Sequence, residues 1–149
     1  MQISLIGPSG VGKTTVSKLL ASHFNIKHVS LDSLRARKYG IVLDGAGINR
    51  YSEEANLYIL KNVLHEYRNK SCILDFGDKN CAYKEDEHFS KFHEFIQQLP
   101  NVVLLLPSAD FAEGDKILRD VNANIRKLDE NTLRGLFDFV REEGQRSES

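Results

Sequence analysis

The chain has 149 residues, is 41% hydrophobic and 28% charged, and carries a formal net charge of −1. That is the size and balance of a single soluble domain (1–149), which can bury roughly two-thirds of its unfolded surface without a metal or disulfide to hold it. The balance shows no basic excess of the kind that binds nucleic acid, and no apolar stretch is long enough to span a membrane.

Gln2 to Ile6 reads as a first strand, entered so early that no room is left for a secretory leader; the cytoplasm is the expected compartment. Residues 7–14 then read Gly-Pro-Ser-Gly-Val-Gly-Lys-Thr, a Walker A pattern. Its glycines let backbone N–H groups converge on phosphate oxygens at dihedrals a side chain would forbid. Lys13 supplies a mobile cation for the β- and γ-phosphates, and Thr14 a hydroxyl for Mg²⁺. The nucleotide-cradling residues are therefore Gly7, Ser9, Gly10, Val11, Gly12, Lys13, Thr14 and Thr15. Val16, Leu19, Leu20 and Phe24 recur at helical spacing, so the loop leads into a helix whose positive N-terminal dipole points at the phosphates.

Lys27 to Ser30 is a short second strand leading to Asp32. A carboxylate at that sheet edge can orient a hydroxyl for attack on a γ-phosphate; equally, it can cap a helix over 33–39. Gly40 to Asn49 reads as a glycine-bearing loop. Arg50 follows, either a clamp for an anionic group or a surface arginine. Ser52-Glu53-Glu54 is a helix start, and Ala55, Ile59, Leu60, Val63, Leu64 and Tyr67 mark one face of that helix.

Cys72-Ile73-Leu74-Asp75 resembles a Walker B strand, whose terminal acid holds Mg²⁺ beside the loop; equally, Asp75 can be an ordinary strand-ending acid that caps the next turn. Asp78 is either a substrate ligand or a turn residue within a polar loop over 76–85. Asp86 reads as the cap of a helix with Phe89, Phe92, Ile96 and Leu99 on one face. Val102 to Leu106 reads as the strongest strand, apolar on both faces, stopped by Pro107. A helix from Ser108 or Asp110 to about Val121 follows. Residues 110–128 carry Lys116, Arg119 and Arg126, either a mobile lid neutralising a transferred phosphoryl group or a solvated basic face. Residues 129–144 read as a last amphipathic helix and 145–149 as tail. Cys72 and Cys81 form no CxxC pair, Cys72 reading as core and Cys81 as a free thiol, and the five histidines show no ligand spacing.

Strands alternating with helices predict a three-layer α/β/α fold on a parallel sheet. Taken in order, the 7–15 loop, Asp32, Arg50 and the 72–75 strand resemble the small P-loop kinases of the shikimate kinase-like and adenylate kinase-like group. The resemblance covers about residues 1–126. It implies strand order 2-3-1-4, Mg²⁺–ATP as donor and a small-molecule or nucleotide acceptor. By matching position it gives Asp32 the hydroxyl-orienting role, Arg50 the acceptor-anion role and Arg119 the lid-arginine role. Lys13, Asp32 and Arg119 are thus the expected catalytic residues, and Thr14 and Asp75 the metal ligands. Asp32, Arg50 and Asp78 are the expected acceptor residues, and Arg119 and Arg126 the lid residues.

The chain departs from shikimate kinases in having Ser30 where they carry a second acid, and Phe76-Gly77-Asp78 where they carry a glycine run. No fifth strand is read after the lid. A kinase for a metabolite other than shikimate, as monomer or homodimer, is the first expectation. A nucleotide-binding regulatory protein is the second, while a GTPase is disfavoured because no Asn-Lys-x-Asp motif is present.

Overall fold

The computed structural model describes residues 1–81 and 83–122. In chain order the elements are β1 (Gln2–Ile6), α1 (Lys13–Phe24), β2 (Lys27–Ser30), α2 (Leu31–Leu34), a π-helical turn (Arg35–Tyr39), α3 (Gly40–Gly45), α4 (Glu53–Tyr67), β3 (Cys72–Asp75), a 3₁₀ turn (Asp78–Asn80), α5 (Asp86–Gln97), β4 (Val102–Leu104) and α6 (Phe111–Asn122). The four strands form one parallel sheet in the order β2-β3-β1-β4, with Gln2 opposite Cys72, Val29 opposite Leu74 and Ser4 opposite Val102. The strand order is the expected one.

The two faces of the sheet are covered by different helices because alternate residues point opposite ways. Ile6, Val29 and Leu74 join Ile59, Leu60 and Val63 of α4 and Phe92 and Ile96 of α5 in the larger core. Leu5 and Ile73 pack instead on Ala21 of α1, with Val16 and Leu20 at the margin. Fully burying a Leu, Ile or Phe of this kind contributes about 1.5–3 kcal/mol. Ser52 caps α4 through its Oγ, which accepts the Ala55 N–H at 3.1 Å, as its sequence context predicts.

Four local expectations are corrected. The run 102–106 forms a strand only over Val102–Leu104, and Val103 is 42% exposed rather than covered. Its partner β1 ends at Ile6, opposite Leu104, where the chain swings into the glycine loop, so the ladder has nothing further to pair with. The region 40–49 is helical as far as Gly45, because Tyr39 and Leu43 are buried and their packing overrides glycine's weak helix propensity. The turn falls at Gly47, whose φ of 71° a side chain rarely adopts. Finally, Ser30 rather than Asp32 caps α2, accepting the Ser33 N–H, and Glu85 rather than Asp86 is the N-cap of α5. Arg126, residues 123–128 of the expected lid, the helix expected over 129–144 and the tail lie outside the described residues. No helix among the described residues is long and apolar enough to cross a membrane.

Candidate active site

The loop between β1 and α1 is shaped by three glycines at φ 148° (Gly7), 84° (Gly10) and 94° (Gly12). At Gly7 space is decisive as well: a Cβ would stand 2.4 Å from the Leu105 carbonyl oxygen, where the chain leaves β4. Gly12 is the N-cap of α1 and offers no side chain to cap it, and a helix N-terminus of this kind suits an anion.

Ser9, Gly10, Gly12, Lys13, Thr14 and Thr15 line a cavity of about 320 Å³ together with Ser30, Asp32, Asp75 and Gly77. The sheet explains the convergence. β1, β2 and β3 are parallel, so their C-terminal ends deliver the loop, Ser30 with Asp32, and Asp75 with Gly77 to one edge. Lys13 is buried, and its Nζ donates to the Pro8 carbonyl at 2.7 Å. Thr14 Oγ1 donates to Asp75 Oδ2 at 2.8 Å, and His28 Nε2 lies 3.3 Å from that same oxygen. Asp32 Oδ1 accepts the Asn80 side-chain amide at 3.0 Å. Gly77 lies against the Asp32 carboxylate so closely that a Cβ there would stand 2.2 Å from Oδ2.

Two groups of expected residues do not meet here. Gly7 and Val11 do not line the cavity; a Cβ at Gly7 would stand 3.4 Å from Val11 Cγ1. Arg50, expected as an anion clamp, is outside the cavity lining and pairs with Asp44, whose carboxyl it holds below the usual range by hydrogen bonding. The turn at Gly47 folds 44–50 back on itself, which brings these two charges together. Arg119 is exposed on α6, its Nε 2.6 Å from Asp115 Oδ2 one helical turn away, and it too does not line the cavity. Asp78 begins the 3₁₀ turn that follows Gly77.

His28 and Asn80 were not expected at the site from the sequence, and Ser30 and Gly77 entered only as departures from the shikimate kinase pattern. Ser30 and Gly77 flank residues that were expected there, so the ends of β2 and β3 were the available signal. Nothing in the spacing marks Asn80 or His28, because their neighbours come from other elements. Among the described residues, no cluster of His, Cys, Asp and Glu has the make-up of a metal cage. Cys72 and Cys81 are both buried and not joined in a disulfide; Cys72 belongs to the core as expected.

A glycine loop capping a helix, an acid at the end of the adjacent strand and a parallel 2-3-1-4 sheet together define the fold of the small P-loop kinases. The AAA domain family model matches residues 3–110, and the chain belongs to that family. Among solved structures, the shikimate kinase from Acinetobacter baumannii in complex with shikimate is similar in fold, with TM-score 0.58 and 20% identity over 97% of this chain and 76% of that one. Shikimate kinase from Bacteroides thetaiotaomicron gives 0.54 and 20%, covering 97% of this chain and 79% of that one. Deoxyadenosine kinase from M.mycoides with bound dATP gives 0.52 and 13%, covering 99% and 86%. No curated protein matches the chain.

Proposed function

We propose that the protein is an ATP-dependent phosphotransferase that moves the γ-phosphate of Mg·ATP to a hydroxyl or phosphate of a small metabolite or nucleotide. The observation that carries this reading is that Asp32 shares one cavity with Lys13, Thr14 and Asp75. A carboxylate there serves chemistry as well as binding: it accepts the acceptor's proton as that oxygen bonds to the γ-phosphorus and the bond to ADP breaks.

The loop glycines and the α1 N-terminus would cradle the phosphates, with Lys13 exchanging its bond to Pro8 for the β- and γ-oxygens. Thr14 and Asp75 offer hard oxygen donors 2.8 Å apart, the donor type Mg²⁺ takes, and would hold it. The ion would neutralise charge on the transferred group. His28 would keep the Asp75 carboxylate oriented. The whole chain acting as one domain in the cytoplasm fits this reading.

The test is acceptor-dependent ADP release across polyol acids, sugars, nucleosides, nucleoside monophosphates and aminoglycosides. One acceptor class should give a signal that falls by about 10²–10³-fold in Lys13→Ala, which removes a cation facing the transferred phosphoryl. Full activity in that variant would refute the reading. A second reading, nucleotide binding without transfer, is favoured by the placement of Arg50 and Arg119, each tied to a carboxylate away from the cavity. Tight Mg·ATP binding with no turnover on any acceptor would select it.

A further inference from the structure

Behind Asp32 lies a polar network. Asn80 is 2% exposed, and its Nδ2 donates to Asp32 Oδ1 at 3.0 Å. Its Oδ1 accepts from Arg35 Nη2 at 2.8 Å. The same Nη2 donates to Asn56 Oδ1, and Asn56, 5% exposed, passes its own Nδ2 to the Lys79 carbonyl at 2.7 Å. Arg35 is three residues beyond Asp32, at the start of the π-helical turn. Asn80 ends the 3₁₀ turn whose first carbonyl, Gly77, accepts its N–H at 3.1 Å; the Tyr83 hydroxyl donates to its carbonyl at 3.1 Å.

The chemistry of this chain has a direction. A guanidinium only donates, so an amide beside it must present its oxygen. Asn80 then has only its NH₂ left to show on the opposite side, where the Asp32 carboxylate is an acceptor. That bond fixes how the Asp32 carboxylate is turned and leaves it further lone pairs for an acceptor hydroxyl. Gly77 closes over the same carboxylate from the other end of the turn.

We propose that Asn80 is a positioning residue for Asp32, and that Arg35 sets which way Asn80 points. The proposal rests on the reading of Asp32 as the group that orients the acceptor hydroxyl. It also distinguishes this network from a mere tie between the 77–80 turn and α4, because the two roles respond oppositely to one substitution. Asn80→Asp keeps the shape and the partner for Arg35, yet it sets a second carboxylate against Asp32. Asn80→Ala removes the contact and repels nothing. Under the positioning role, kcat falls by about 10²-fold in Asn80→Ala and further in Asn80→Asp, with Mg·ADP affinity by calorimetry unchanged in both. Under a purely structural role, Asn80→Asp is the milder change.

A second measurement does not need turnover. The Asn80 side-chain amide resonances, followed by ¹⁵N NMR, should move in Asp32→Ala and in Arg35→Leu. Asn80→Asp as active as or more active than Asn80→Ala, or amide resonances indifferent to Asp32→Ala, would overturn the proposal. Wild-type protein that phosphorylates no acceptor while those resonances still respond would sink the kinase reading and uphold the orientation of Asp32 by Asn80.

Discussion

Gly77 makes the site's tolerances explicit at the scale of single residues. Its Cα is pressed against the Asp32 carboxylate, and an added Cβ would overlap both oxygens. In Gly77→Ala the carboxylate must therefore move, while the glycine loop over 7–12 does not. The expected result is acceptor turnover reduced by about 10²-fold with nucleotide affinity unchanged, read by steady-state kinetics beside calorimetry. A fall in nucleotide affinity equal to the fall in turnover would contradict this placement. Gly7 and Gly12 were legible because both fall in one short motif, although the carbonyl that crowds Gly7 comes from Leu105. Gly77 was not, since its need for a bare Cα is imposed by a residue from another strand end. Asn80 was hidden for the same reason, and of the two readings left open for Arg50 the surface one fits its pairing with Asp44 across the turn at Gly47.

Among the elements, the contact between the starts of α4 and α5 stands out. Glu53 in the first turn of α4 accepts the N–H groups of Lys84 and Glu85 and lies 2.7 Å from His88 Nδ1. Burial pushes the Glu53 carboxyl up, but these bonds outweigh it and hold it below its ordinary value of 4.5. A carboxyl held low when folded stabilises the protein above its unfolded value, and that stability is lost as pH falls through the folded value. Glu53→Gln should therefore melt lower than wild type at neutral pH, and the gap in Tm should close as pH drops below 4.5. A gap that widens in acid would contradict the assignment. Sequence alone supplied the helix start at Ser52 and its acids, because capping is local. The partners of Glu53 on the approach to α5 came only with the tertiary structure. The same limit explains β4, where apolar composition promised a longer strand covered on both faces and the pairing supplied by β1 ran out at Ile6.

At the scale of the whole molecule, the order β2-β3-β1-β4 puts the first strand of the chain inside the sheet, between partners that come much later. Gln2 faces Cys72 and Ser4 faces Val102, while Gly7 sits under the Leu105 carbonyl. Ribosomes deliver roughly 5–20 residues per second, so residues 7–14 leave the exit tunnel seconds before the strands that shape them. Contacts this distant in sequence close late and slowly. The proposed nucleotide capture consequently waits until β4 has emerged and paired with β1. Stalled chains that expose residues only to Leu99 should fail to retain a nucleotide photoprobe, whereas chains exposed past Asp110 should hold it. Labelling of the shorter chains would show that the loop takes shape without β4.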